Sequence, residues 1–260
     1  MQLIVFTDLD GALLGEDYSY ETVKANIEKL KQMKIPIIIC TSKTRGEIEI
    51  YTNELDIKDP FISENGGAIF IPKNYFSFSF SFDKEDDGYK IIELGTPSES
   101  LKDIISKIKK VYNVKCFHEM TAEELARDTG LPMERAVKAQ QREYDIAFKI
   151  IDIGVEEDIR NLIKESRFQF VKGARYCHLL GNNDKGKAVR LLCDLLRKKY
   201  GDIKTMAIGA SPNDFPMLDV VDRPYLVRDR NDRHTSEKYI KAWGKGPDGW
   251  NYAIRTELKI

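Results

Sequence analysis

The stretch Leu3-Ile4-Val5-Phe6-Thr7-Asp8-Leu9-Asp10-Gly11 decides the fold. Leu3 to Phe6 is a short, continuous apolar run, which suits a strand buried on both faces of a parallel sheet. A strand this early is expected at the centre of its sheet. Asp8 and Asp10 follow directly, two residues apart and therefore on one side of the chain, where they can share one cation or one phosphorus centre. An isolated pair of this kind could equally cap a helix or line a turn, so its meaning depends on what the later strand ends supply.

Beyond that turn, Val23, Ile27, Leu30 and Met33 recur at helical spacing from Tyr20 to Met33, and Lys34-Ile35-Pro36 ends that helix. A second buried strand, Ile35 to Cys40, runs to Thr41-Ser42. Lys43 to Glu54 reads as helix and Pro60 to Ser63 as a short third strand. Strand, helix, strand, helix, strand is the doubly wound α/β pattern, whose ligands gather at the carboxyl ends of the strands. From Tyr75 to Asp83 the texture changes to alternating Phe and Ser, as in an antiparallel strand with one exposed face. An α+β insert is expected over 83–180: helices at 98–112, 121–139 and 155–166, and strands at 114–118, 145–151, 168–172 and 175–180. A long helix from Gly186 to Tyr200 and the buried strand Thr205 to Ala210 then resume the parallel pattern. The expected domains are a core of 1–82 and 181–260, with a cap of 83–180.

Composition narrows the function. Of 260 residues, 42% are hydrophobic and 32% charged, and the formal net charge is -1. That is a globular balance with no global basic field to collect nucleic acid. Cys40, Cys116, Cys177 and Cys193 are scattered, without CxxC spacing, and read as reduced thiols of a cytoplasmic chain. No apolar run approaches the length of a membrane span. A small anionic ligand held by local groups fits best. Strand ends supply those groups: the hydroxyl of Thr41, the cation of Lys185 and the carboxylate of Asp214 beyond Gly209-Ala210.

At this point the chain resembles the haloacid-dehalogenase-like phosphatases, and within them the mannosyl-3-phosphoglycerate phosphatases with a large α+β cap. The core pattern is Asp8-Leu9-Asp10-Gly11-Ala12, Thr41-Ser42-Lys43-Thr44-Arg45, Ser63-Glu64-Asn65-Gly66-Gly67, Asn183-Asp184-Lys185-Gly186 and Gly209-Ala210-Ser211-Pro212-Asn213-Asp214. The narrower likeness rests on Ser42 to Arg45, Ser63 to Phe76, Gln141 to Asp145 and Gly246 to Asn251. The resemblance implies that Asp8 attacks phosphorus and that Asp10 protonates the leaving oxygen and later activates water. Thr41 and Lys185 would hold the transferring group. Mg2+ would be bound by Asp8, Asp10 and Asp214. It further implies that Ser42, Lys43, Arg45, Glu64, Asn65, Arg142, Glu143, Tyr144, Lys172 and Arg175 meet a phosphorylated sugar-glycerate, although the core members among them could instead brace the seam with the cap.

Two positions depart from the family. Ala12 replaces a threonine, and Ala210 replaces an aspartate that usually ligates magnesium directly. An impaired phosphatase is therefore expected, and the alternatives are another sugar-phosphate phosphatase or phosphomutase of this fold, or a non-catalytic phosphosugar-binding protein. His118, His178 and His234 lack metal-ligand spacing and are assigned no role. Cys40 reads as a small core residue, and the charge-rich run from Arg223 to Lys241 as a solvated face.

Overall fold

The computed structural model describes residues 1–173 and 175–260. Its strands are β1 (Gln2–Thr7), β2 (Ile37–Ile39), β3 (Phe61–Ser63), β4 (Ala68–Pro72), β5 (Lys84–Glu85), β6 (Tyr89–Glu93), β7 (Val114–Cys116), β8 (Asp145–Ile150), β9 (Gln169–Lys172), β10 (Cys177–Leu180), β11 (Ile203–Gly209), β12 (Arg223–Arg228) and β13 (Ile240–Lys245). The helices are α1 (Lys24–Gln32), α2 (Arg45–Glu54), α3 (Ser98–Lys109), α4 (Ala122–Thr129), α5 (Met133–Ala139), α6 (Glu156–Glu165), α7 (Lys185–Tyr200), α8 (Phe215–Leu218) and α9 (Gly246–Leu258).

The core sheet is parallel, in the order β13-β12-β11-β1-β2. The opening strand does lie inside it, between β11 and β2. Alternate residues of β1 explain why its sequence is apolar throughout. Val5 joins a cluster with Leu30, Ile48 and Trp250 on one face, while Ile4 and Phe6 join Val189, Leu192 and Met217 on the other. Because β2 and β11 flank β1 on opposite sides, the chain reverses its winding at β1. The carboxyl end of that strand is then the natural ligand crevice.

A second sheet, β3-β4-β6-β5, is antiparallel and touches the first through a bridge between Cys40 and Ile62. Strand β6 pairs with β4 on one side and β5 on the other, and Ile91 and Ile92 pack into the two core clusters. Residues 84–93 thus go with the core side rather than with the insert expected to begin at 83. The Phe-Ser alternation at 75–83 forms no strand; Phe76, Phe78 and Phe80 lie against the core cluster of α7 without a ladder partner. One helix expected over 121–139 is two, because Gly130 takes a left-handed conformation with φ 78° and Pro132 cannot continue a helix.

The cap sheet runs β7-β8-β10-β9, antiparallel throughout. Ile146, Phe148, Cys177 and Leu179 turn to one face, where α3 and α6 cover them. Asp145, Ala147, His178 and Leu180 occupy the other face by the cross-strand register. That second face is partly covered by α4 and α5, and what they leave open looks toward the core.

Candidate active site

Asp8 is delivered by the end of β1 and sits 3% exposed. Thr7 before it is fixed from the C-terminal helix, since Trp250, fully buried in α9, donates its indole N–H to Thr7 Oγ1 at 3.0 Å. Gly11, with φ 76°, supplies the left-handed turn that sends the chain away again. Lys185 opens α7, whose N-terminus Asp184 caps by accepting from the Lys187 N–H at 2.8 Å. Its ammonium lies 3.1 Å from Asp8 Oδ1 and 2.6 Å from Asp214 Oδ1. The remaining Asp214 oxygen accepts from the Ala210 and Ser211 amides at 2.8 and 3.0 Å. Burial, then Asp214 and Asp10, push the Asp8 pKa up to about 7, while Lys185 pulls the other way. The two carboxylates in turn hold Lys185 above the usual lysine range despite its burial.

Asp10 differs from Asp8 in exposure. Its side chain is 37% open, and Oδ2 lies 3.1 Å from Lys43, which also reaches Glu47 at 3.3 Å. Asp8 Oδ1, Asp10 Oδ1 and Thr41 Oγ1 are all buried without a hydrogen-bond partner. Asp10 Oδ1, with no partner, and Asp8 Oδ1, met only by the Lys185 ammonium at 3.1 Å, suit a hard divalent cation such as Mg2+. Asp8 and Asp10 therefore fit the ion. Asp214 does not fit the place given it among the ligands, because Lys185 and two amides occupy both its oxygens. Among the described residues, Asp8, Asp10 and Asp214 do not bring three ligand atoms together; the grouping that does is Cys116, His118 and Glu119 in the cap, where Lys109 already pairs with Glu119. Ala210, 4% exposed beside Gly11, offers no carboxylate in compensation.

Asp8 and Asp10 open onto a cleft of about 690 Å³ between core and cap. Ser42 lines it from the core, as do Lys172 and Arg175 from the cap. Arg175 is occupied, donating to the carbonyls of Thr129 at 2.6 Å and Asp128 at 3.1 Å and to the Tyr18 hydroxyl at 3.3 Å. Lys172 pairs with Glu156. Ala12 lies inside the apolar core, fully buried.

Several residues expected at the substrate are instead part of the seam. Glu64, a core residue at φ 45°, directs its buried carboxylate at three successive cap amides, those of Glu143, Tyr144 and Asp145, at 2.8 to 3.1 Å. Burial and Asp145 push its pKa up to about 8, against the pull of Arg142 and those amides. Arg142 crosses in the other direction, from the cap to the Ser42 carbonyl, and pairs with Asp145. Tyr144 donates to Glu93 at 2.6 Å, and the Glu143 side chain is exposed. Asn65 accepts from Asn213 at 3.2 Å, behind the cleft. Arg45 is turned to Glu49 and Asp86, over the rings of Phe70 and Tyr89. None of these six lines the cleft. The alternative that the core members brace the seam holds for Glu64, and it extends to Arg142 and the amides of its neighbours.

Sequence reasoning also missed part of the cleft. Arg228, Asp229, Arg230, Asn231 and Thr235, from the run read as a solvated face, line it with Lys245 and His178. The strand-end rule could have found the first group, since Arg228 ends β12 and the others follow it just as Asp8 follows β1. Lys245 belongs to β13, a strand not anticipated.

The description haloacid dehalogenase-like hydrolase belongs to a family whose model matches residues 5–237. A glucosyl-3-phosphoglycerate/mannosyl-3-phosphoglycerate phosphatase of Methanococcoides burtonii is 42% identical over 262 residues, covering 98% of this chain and 96% of the relative. A mannosyl-3-phosphoglycerate phosphatase of Pyrococcus horikoshii is 41% identical over 225 residues, covering 86% and 90%. In fold, a Thermoplasma acidophilum protein superposes with a TM-score of 0.70 at 19% identity over 100% of this chain and 99% of that one. The sucrose-phosphatase of Synechocystis, solved with sucrose and phosphate, does so with 0.64 at 15% over 98% and 97%.

Proposed function

The chain belongs to the haloacid dehalogenase-like hydrolases, and from that premise we propose that it removes phosphate from a glycosyl-3-phosphoglycerate, mannosyl or glucosyl, using Mg2+. The observation that carries this reading is the buried Asp8–Lys185–Asp214 array at the end of β1, open to a cleft that the cap completes. Relatives at 40–42% identity over nearly the whole chain carry that substrate in their names.

Asp8 is the nucleophile. Its carboxylate attacks phosphorus, the bond to the glycerate oxygen breaks, and an aspartyl-phosphate remains. Lys185 offsets the repulsion between an anionic nucleophile and an anionic ester, and the unpaired Thr41 hydroxyl is free to donate to a phosphoryl oxygen. Asp10, the more open carboxylate, gives the leaving oxygen its proton and afterwards takes one from the water that hydrolyses the aspartyl-phosphate. Asp8 and Asp10 would hold Mg2+, which when bound would supply positive charge to offset that on the phosphoryl oxygens. Glu64 and Arg142 keep the cap seated so that the two carboxylates work in a restricted cleft.

Phosphate release should be measured over glycosyl phosphoglycerates and simple sugar phosphates, with Mg2+ varied. Release from the glycosyl phosphoglycerates at the highest kcat/KM supports the reading. An isomeric sugar phosphate in place of free phosphate, or tight binding without turnover at saturating Mg2+, overturns it. Ala210 is the feature that favours the binding-protein outcome.

A further inference from the structure

We propose that His178 is the cap residue that reads a hydroxyl of the substrate's glycosyl group, through Nε2, and that Asp145 and Arg142 act as positioning residues for its ring. The inference rests on the proposed glycosyl phosphoglycerate and deepens it by naming a specificity contact.

His178 is 5% exposed, yet it lines the same cleft as Asp8 and Asp10. Its Nδ1 lies 2.8 Å from Asp145 Oδ2. Asp145 is fully enclosed, and Arg142 and His178 hold its pKa down to about 2 against burial. A carboxylate accepts, so the proton of that contact sits on Nδ1 and the free nitrogen is Nε2. Nε2 makes no hydrogen bond among the described residues. It borders the turn at Gly173, where an added Cβ would lie 3.6 Å from it.

The ring is also held against rotation by a route that reaches the core. The Arg142 guanidinium grips Asp145 and the Ser42 carbonyl together, and Glu64 accepts from the Asp145 amide at 3.1 Å. Ser42 follows Thr41, so the alignment of His178 is tied to the loop that carries the unpaired hydroxyl. With Nδ1 committed to Asp145, Nε2 is the ring nitrogen left to meet water or a ligand in the cleft.

The chemistry of that partner follows from the atoms. A hydroxyl both donates and accepts, so it suits Nε2 with or without a proton, whereas a carboxylate suits only the protonated ring. Carboxylates have cationic partners on the same cleft wall in Arg230 and Lys245. Nε2 is therefore assigned to the uncharged glycosyl part. A site built to hydrogen-bond a hydroxyl discriminates strongly against a ligand that lacks it.

The test compares kcat and KM for a glycosyl 3-phosphoglycerate and for 3-phosphoglycerate, in the native chain and in His178→Leu and His178→Gln. Expected is a tenfold or larger fall in the ratio of the two kcat/KM values for His178→Leu, carried by KM, with His178→Gln restoring part of it because its amide can also donate and accept. Thermal melting of both variants separates misfolding from lost recognition. An unchanged ratio in a folded His178→Leu protein overturns the assignment, as does a Gln variant no better than Leu. If the native chain itself shows no preference for the glycosyl compound, the proposed function fails first, and the two failures are distinct.

Discussion

Lys185 stands closer to Asp214, at 2.6 Å, than to Asp8, the proposed nucleophile, at 3.1 Å. The ammonium is thus positioned by a carboxylate that is itself pinned by two amides, and it reaches Asp8 as a fixed charge. Lys185→Met should lower kcat about 10²–10³-fold, the size seen when a preorganised charge partner is lost. It should also destabilise the protein by about 3–5 kcal/mol at pH 8, since two buried carboxylates then face each other unpaired. Urea melts at pH 5 and pH 8 check this: a loss that is no larger at pH 8 would mean that Lys185 does not offset those charges.

Asp8→Asn should abolish phosphate release, by about 10³-fold or more, because an amide is no nucleophile. Its stability should move the other way. The Asp8 pKa is raised from 3.8 to about 7. A carboxyl raised on folding favours the folded state below about pH 4, and that contribution is lost as pH rises through 7. The Asn variant escapes the loss, so it should be more stable than the native chain at pH 8 without Mg2+, by at most about 4 kcal/mol at about 1.36 kcal/mol per unit. At pH 4 that advantage should vanish. Mg2+ should stabilise the native chain and not the variant, and thermal shifts with and without the ion read both statements.

Above pH 8, where the Glu64 carboxyl is ionised, Glu64→Gln keeps the oxygen that accepts from the cap amides but removes the charge that strengthens those bonds. Hydrogen bonds to charged groups contribute about 1.5–3 kcal/mol, roughly twice the neutral case. The expected result is faster amide exchange at Glu143, Tyr144 and Asp145, with a raised KM for glycosyl phosphoglycerates. Unchanged exchange at those three amides would remove Glu64 from the role of latch. The same variant relieves a carboxyl raised to about 8, so part of the latch weakening should be offset in overall stability above pH 8.

How much of this was legible in the sequence depends on the range of the interaction. The Asp8-Asp10 pair and the strand beneath it are local: an apolar run and a turn glycine encode them, and the sheet places them as expected. Lys185 and Asp214 are distant in sequence but lie at strand or helix ends, which the doubly wound pattern brings together. The seam was legible only from the core side, where Glu64 could be weighed as a brace; its partners are backbone amides at 143–145 that no residue type announces. His178 was unreadable for a related reason. Its meaning comes from the register that sets it diagonally across from Asp145 on β8 and β10, and a lone histidine in an apolar strand carries no such mark. The run after β12 misled through composition, since charged residues on a solvated face and on a cleft wall look alike.

Ala210→Asp addresses the missing carboxylate. Ala210 is 4% exposed at the end of β11, and its amide is already committed to Asp214. Its methyl lies 3.5 Å from where a Cβ on Gly11 would be, so a side chain at 210 projects beside the Asp8-to-Gly11 turn. A carboxylate there would join Asp8 Oδ1 and the unpartnered Asp10 Oδ1 and add a third anion for a hard cation. Asp214 cannot substitute without abandoning Lys185, which is why the deficit falls on position 210. Loss of even an outer partner of a metal site costs 10- to 100-fold, about 1.4–3 kcal/mol, and a direct ligand should matter at least as much. The variant should therefore bind Mg2+ at least about tenfold more tightly, seen as a larger thermal shift at low Mg2+ and a lower half-saturation for phosphate release. Without Mg2+ the sign reverses: a third carboxylate beside two others raises their mutual repulsion, and the metal-free variant should melt below the native chain at pH 8. An unchanged Mg2+ titration, by melting and by turnover, would mean that Asp8 and Asp10 already complete the site with water, and the account of Ala210 as a deficit would fall.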